Sequence, residues 1–152
     1  PDRLARFLDV APSWPRLAIE FRHATWHREE TFALLERHGV AYCVMSGANL
    51  ACVLRATAPF VYVRLHGPDP SHLYGGSYSD ADLRWWADRL RDWAAQSRDV
   101  YAYFNNDGHG YAVHNAVILP LHFVQPIVAR RRRLAQGGEL GFEEAAGRGS
   151  FL

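Results

Sequence analysis

The sequence predicts an α/β fold in which parallel strands are connected by helices. Apolar and polar residues alternate in two strand-like runs, 60–67 and 100–107. Segments with helical periodicity complete the order strand, helix, strand, strand, helix, strand, helix. Polar residues gather where the strands end. Because the carboxyl ends of parallel strands meet at one edge of the sheet, this edge is the predicted functional site.

The first part of the chain predicts two helices and two strands. Residues 3–10 are expected to form the end of a helix, and residues 17–21 an alternating strand. A helix follows at about 28–38, and Gly39 ends it because glycine readily adopts the left-handed conformation that closes helices. The nearly continuous apolar run at 40–45 is typical of a strand that is covered on both faces.

The third strand and the helix after it have the clearest signals. The strand at 60–67 directs apolar side chains to one face and polar ones to the other. Ser79, followed by Asp82 three residues later, predicts the N-cap of the next helix. Trp86 and Trp93 recur at helical spacing in that helix and are expected to lie in the core.

The end of the chain is less regular. After the fourth strand, a helix is predicted over about 111–119 and is expected to end near Pro120, since proline cannot donate the hydrogen bond that continues a helix. Residues 121–152 show little periodicity and include the basic run Arg130–Arg133. They are interpreted as an irregular basic tail.

The composition is that of a globular domain without a strongly charged surface. The 152 residues are 49% hydrophobic and carry a net charge of +1, which does not favour a nucleic acid or a membrane as partner. All basic residues are arginine, which we interpret as composition bias. Cys43 and Cys52 show no metal or redox spacing and are expected to be thiols in a reducing cytoplasm. No apolar run approaches the length of a membrane span.

Four motifs in order along the chain carry a resemblance to a known family. They are Ile19–His23 with Trp26, Val61–Gly67, Tyr74–Ser79, and Val100–Asp107 with Asn115 and Ala116. In this set the chain resembles the YecE-like family, a bacterial family catalogued as a domain of unknown function. The resemblance extends over about residues 4–119.

The resemblance implies a TIM-type β/α barrel, of which this chain contains only part. The motifs look like the last four strands, so residues 1–120 are expected to form a C-terminal half barrel and 121–152 its irregular tail. The strand at 40–46 often ends in an aspartate in this family, whereas Met45, Ser46 and Gly47 occupy that place here. No carboxylate role is therefore assigned there.

Ten residues at or near the strand ends are the candidate site residues. Carboxylates and histidines can move protons, and arginines, tyrosines and amides can hold an anionic or polyhydroxylated ligand. The catalytic candidates are Glu20, His66 and Asp107, and the ligand-binding candidates are Arg22, His23, Arg64, Tyr74, Tyr78, Asn105 and Asn106.

The spacing of these residues predicts how they meet. Alternation places Arg64 and His66 on the same face, about 6.6–7 Å apart along the strand. Neighbouring strands lie about 4.8 Å apart, so Asn105 should lie beside this pair and Glu20, two strands away, should be about 10 Å off and within reach of Arg64. We expect these four residues and Arg22 to converge at the carboxyl end of the sheet.

Four of the candidates also have a purely structural interpretation. Glu20 with an arginine could be an ion pair that fills the top of the barrel. His23 could cap a loop, and Tyr74 and Tyr78 could pack on the rim rather than form a mobile lid. Glu20, His66 and Asp107 could together bind a divalent ion, but no local ligand spacing supports this, so no metal site is predicted. The sequence leaves the identity of any cofactor open.

The leading functional hypothesis is an enzyme-like barrel that acts on a small phosphorylated or sugar-like ligand. The alternatives are a nucleic-acid-binding or nuclease-like barrel, and an inactive fragment of a larger barrel. The expected partners are a small molecule and either the missing N-terminal half or a second chain paired through the open strand edges.

Overall fold

Four parallel strands form one sheet in the computed structural model, which describes residues 2–135, with side chains to residue 123. The strands are β1 (Ala18–Ile19), β2 (Ala41–Ser46), β3 (Phe60–Leu65) and β4 (Asp99–Phe104). They lie side by side in sequence order, and every neighbouring pair is parallel. The predicted parallel α/β architecture is therefore confirmed.

The helices lie between the strands and after the last one. They are α1 (Asp2–Val10), α2 (Glu29–Arg37), α3 (Asp80–Ala95) and α4 (Tyr111–Ala135), with one-turn 3₁₀ helices at Ala24–Trp26 and Gly108–Gly110. Ser79 and Asp82 form the predicted capping box at the start of α3. Within residues 2–135, none of the helices combines the length and apolar content that crossing a bilayer requires.

The main core lies between the sheet and the helices. Alternate residues of β3 (Val61, Val63 and Leu65) are buried there with Trp86 and Trp93 of α3, as the helical spacing predicts. A smaller apolar cluster on the opposite face of the sheet contains Ala41, Ala58 and Phe60. Strand β2 is buried along both faces, as its continuous apolar run predicts.

Two elements differ most in length from the prediction. Strand β1 has only two residues instead of five, because it is an edge strand and pairs with β2 at only two positions. Helix α4 does not end near Pro120 but continues to Ala135, since a proline removes one helical hydrogen bond without preventing the next turns from forming. The predicted irregular tail is thus wrong for 121–135, and 136–152 lie outside the described residues.

Candidate functional site

The candidate site is built on residues that end the strands or directly follow them. Glu20 follows β1, Arg64 lies one residue before the end of β3, and His66 and Asn105 follow β3 and β4. The inter-strand hydrogen bonding extends to these positions, because His66 N donates to Ser46 O at 2.7 Å and Asn105 N donates to Leu65 O at 2.8 Å. The backbone that carries the site is therefore held by the sheet.

Arg64 links three of the four strands through its guanidinium group. Its Nη1 donates to Glu20 Oε2 at 2.7 Å, and its Nε donates to Asn105 Oδ1 at 3.0 Å. The Arg64 side chain keeps 31% of its surface exposed. The predicted convergence of Arg64, Glu20 and Asn105 is borne out, and Asn105 fixes the plane of the guanidinium.

Glu20 is the only carboxylate among the five residues that converge here, and it contacts two arginines. Arg22 Nε pairs with Oε1 of Glu20 while Arg64 pairs with Oε2. Burial alone would raise the pKa of Glu20, but the hydrogen bond from Arg64 and the charges of Arg64, Arg22 and His66 outweigh burial and lower the pKa below 4.5. Glu20 is therefore ionised at neutral pH, and the two guanidinium groups leave a net positive charge.

Arg22 connects this cluster to the loop between β3 and α3. Its Nη2 donates to the hydroxyl of Tyr74 at 3.2 Å. The Tyr74 ring meets the His66 ring in an edge-on arrangement, with 5.2 Å between the ring centroids. Tyr74 remains 44% exposed, so it lies over the cluster at the surface.

His66 is completely buried beside this charged group. Its Nε2 lies 3.5 Å from Glu20 Oε1, which is long for a hydrogen bond, and neither ring nitrogen has a hydrogen-bond partner among the described residues. Burial lowers the pKa of His66 below 6.5, and the charges of Arg22 and Arg64 lower it further against the opposing effect of Glu20. The imidazole is therefore neutral at pH 7 and can accept a proton.

A cleft of about 590 Å³ continues from the cluster along the face of the sheet opposite the helices. Tyr62 and Tyr103 stack across β3 and β4 with 5.1 Å between ring centroids, and they line the cleft. Cys43 also lines it, and its Sγ lies 3.7 Å from Glu20 Oε2. Burial and the neighbouring carboxylate raise the pKa of Cys43 to about 12, so the thiol stays protonated and is not a nucleophile at neutral pH.

Three candidate ligand-binding residues make structural contacts instead. His23 caps the 3₁₀ helix by accepting a hydrogen bond from Thr25 N. Tyr78 is buried, and its hydroxyl accepts from Gly67 N at 2.9 Å. Asn106 is fully buried and donates to Gly76 O at 2.8 Å. Of Tyr74 and Tyr78, only Tyr74 therefore lies beside the charged cluster, while Tyr78 packs below the loop.

Asp107 forms no hydrogen bond or ion pair with Glu20 or His66 in the described part of the chain. It occupies the N-cap of the second 3₁₀ helix, is exposed, and makes no capping hydrogen bond with its side chain. Among the residues that the structure describes, no three His, Cys, Asp or Glu side chains are arranged to hold a metal ion. Glu20, His66 and Asp107 accordingly do not form the ligand set that was considered from the sequence.

Asn115 was not a candidate, yet it holds the loop against α4. Its Oδ1 accepts from Asn106 Nδ2 at 2.9 Å and from Tyr78 N at 3.2 Å, and its Nδ2 donates to Ser77 Oγ at 3.2 Å. Tyr103 and Cys43 were also missed as lining residues, although strand alternation places them on the same face as Arg64.

Replacing Asn115 with alanine is expected to lower the free energy of unfolding by about 3 kcal/mol, because two buried donors lose their acceptor. The exposed neighbour His114 provides the control, and His114→Ala should change stability by less than about 0.5 kcal/mol. Urea unfolding of the two variants measures the difference. Equal stabilities would show that the Asn115 network does not hold the loop.

Comparison with protein families identifies the relatives of the chain. The family model described as "Protein of unknown function DUF72" matches residues 1–130. The chain belongs to this family. The YecE-like resemblance found in the sequence is thereby confirmed, since both names denote one family. No curated protein matches the DUF72 chain.

Solved structures of DUF72 proteins share the fold. A DUF72 family protein of Thermotoga maritima is 27% identical with a TM-score of 0.70, covering 84% of this chain and 51% of that one. Two structures of a DUF72 family protein of Enterococcus faecalis are each 15% identical, with TM-scores of 0.67 and 0.64. They cover 80% and 84% of this chain and 50% and 53% of theirs. The chain thus spans about half the length of these solved relatives.

Proposed function

We propose that this chain is the C-terminal half of an enzyme-like TIM-type barrel and that it binds a small anionic ligand, phosphorylated or sugar-like, at the carboxyl ends of its strands. One observation carries the proposal. Arg64 and Arg22 share the single carboxylate of Glu20. The opening at the carboxyl ends of the strands, called the mouth below, therefore has a net positive charge on side chains that are still partly exposed. Guanidinium groups of this kind form strong charge-assisted hydrogen bonds with phosphate and carboxylate.

A side-chain contact between the two edges of the sheet supports the half-barrel part of the proposal. β1 and β4 are its two edges, which would lie about 14 Å apart in a flat sheet with strands about 4.8 Å apart. Arg16, just before β1, nevertheless donates to Asp99 Oδ2 at 2.6 Å and to the hydroxyl of Tyr101 at 2.8 Å, both on β4. Contacts across the whole inner face, the face opposite the helices, are expected of a sheet that curls as in a barrel. The solved relatives are about twice as long, which leaves room for the other half.

The protonation states define what the site could do to a bound ligand. The lowered pKa keeps Glu20 ionised and makes it a weak base at neutral pH, so its role is to orient Arg64 and Arg22. Neutral His66 is the better general base, because its unprotonated form is the one that burial favours. The Arg64 guanidinium, fixed by Asn105, would hold the anionic group of the ligand.

A thermal-shift screen with matched ligands tests this proposal. Hexose phosphates should raise the melting temperature of the chain, because they bind the folded state alone, whereas the same hexoses without phosphate should not. Equal effects of the two series, or no shift in either, would contradict an anion site.

A further inference from the structure

We propose that Tyr74 is a gate over His66 and that an anion opens it by taking the Arg22 donor that Tyr74 occupies. The inference rests on the proposed anion site and extends it by coupling anion binding to exposure of the general base. It arises from a buried imidazole that packs against the ring of an exposed tyrosine, whose hydroxyl contacts Arg22.

The burial of His66 is complete but its polar atoms are not satisfied. Both ring nitrogens are buried and have no hydrogen-bond partner within the described part of the chain. The packing around the Cβ of His66 is tight, because a Cβ added to Gly47 would lie 2.8 Å from it. The Tyr74 ring packs against the imidazole in an edge-on arrangement. Unpaired polar atoms of this kind are unfavourable, so exposure to water or ligand would benefit His66.

Tyr74 is held loosely at the tip of an otherwise firmly closed loop. The loop is closed by the hydrogen bonds from Gly67 N to the Tyr78 hydroxyl at 2.9 Å and from Asp69 N to Gly75 O at 3.3 Å. Tyr74 itself has a φ of +71°, a conformation that side chains other than glycine adopt with strain. Its hydroxyl contacts Arg22 Nη2 at 3.2 Å, and its side chain is otherwise largely at the surface. The side chain can therefore move while the base of the loop stays in place.

Arg22 is the point where an anion and Tyr74 compete. A phenol hydroxyl is a neutral acceptor, whereas a phosphate oxygen is charged and forms a hydrogen bond roughly twice as strong with a guanidinium. A phosphate at the mouth would thus displace the Tyr74 hydroxyl from Arg22. The Tyr74 ring would lose its anchor, and His66 would become accessible from the cleft next to the bound anion.

Acylation by diethyl pyrocarbonate measures this exposure, because the reagent attacks neutral imidazole. Cleavage after arginine releases residues 65–84, a peptide that contains His66 and also His72, whose side chain is 78% exposed. His72 is therefore an internal reference. The ratio of His66 to His72 modification is determined by mass spectrometry with inorganic phosphate and with chloride at the same ionic strength.

In the wild-type chain, phosphate should raise this ratio about fivefold, the effect of losing one hydrogen bond of moderate strength. Tyr74→Phe keeps the ring but removes the hydroxyl, so its ratio should already be raised in chloride and change little with phosphate. Tyr74→Ala removes the cover and should give a high ratio in both.

Two results would overturn the gate. One is a Tyr74→Phe ratio in chloride equal to that of the wild type. The other is a ratio that stays constant or falls when phosphate binds the wild type, with binding established separately by titration. If titration detects no phosphate binding, the anion site fails instead, and the comparison of Tyr74→Phe with the wild type in chloride still decides whether the hydroxyl holds the gate closed.

Discussion

Replacing Glu20 with glutamine is expected to lower the free energy of unfolding by about 2–3 kcal/mol. Arg22 and Arg64 would lose the negative charge that compensates for their two positive charges. The Glu20 side chain is only 15% exposed, so water replaces the lost pairing poorly. Glu36 is the matched control, since it pairs with Arg55 at a more exposed position. Glu36→Gln should cost less than about 0.5 kcal/mol. Urea unfolding at pH 7 compares the two.

The difference between wild type and Glu20→Gln should also depend on pH. The folded pKa of Glu20 lies below the ordinary value of 4.5, so the unfolded chain binds more protons in the interval between the two. The contribution of Glu20 is therefore fully present above about pH 4.5 and is lost as the pH falls through the lowered value. Two results would show that the ion pairs do not stabilise the site. One is a difference in unfolding free energy that stays constant from pH 7 to pH values below the lowered pKa of Glu20, and the other is a Glu20→Gln variant as stable as the wild type.

The chain on its own is expected to associate with further copies or aggregate, because the proposed half barrel leaves both sheet edges and the inner face uncovered. Apolar side chains on the flanking helices are also uncovered. Val113, Val117 and Leu121 form a stripe on α4 at a spacing of four residues, and each is more than half exposed, as are Phe7 and Val10 on α1. We propose that these surfaces contact the missing half in the complete barrel and a second copy when that half is absent.

Sedimentation velocity over a range of concentrations tests this expectation. The wild-type chain should sediment as species larger than the monomer. The double variant Val117→Glu and Leu121→Glu should weaken association at least tenfold, since burying the two charges in an interface is unfavourable. Ala116→Glu is exposed on the same helix but lies about 100° or more around the helix axis from Val117 and Leu121, so this variant should behave like the wild type. A monodisperse wild-type monomer that melts cooperatively would contradict the half-barrel interpretation.

Strand alternation was sufficient to predict most of the site. The face of β3 that carries Arg64, and the placement of Glu20 and Asn105 at the same edge of the sheet within reach of Arg64, follow from a period of two and a parallel register. These features depend on backbone geometry, which the local sequence determines. The same periodicity predicted the core residues Trp86 and Trp93.

Features that depend on distant partners were not predictable in this way. Asn106 and Asp107 both follow β4, but one is drawn into the core by Gly76 and Asn115 while the other remains exposed. No local pattern distinguishes them, because the deciding contacts come from the loop before α3 and from α4. The extension of α4 past Pro120 was not predictable either. The sequence near the proline indicates only that one helical hydrogen bond is lost, and not whether the helix continues.

Isothermal titration with inorganic phosphate tests the central claim, an anion site organised by Arg64, most directly. With stoichiometry expressed per chain, the measurement is valid in any assembly the chain forms. The wild type should bind phosphate, Arg64→Ala should bind it at least roughly tenfold more weakly, and Arg55→Ala, which removes an arginine paired with Glu29 and Glu36, should bind it like the wild type. Equal affinities of the wild type and Arg64→Ala would contradict the account.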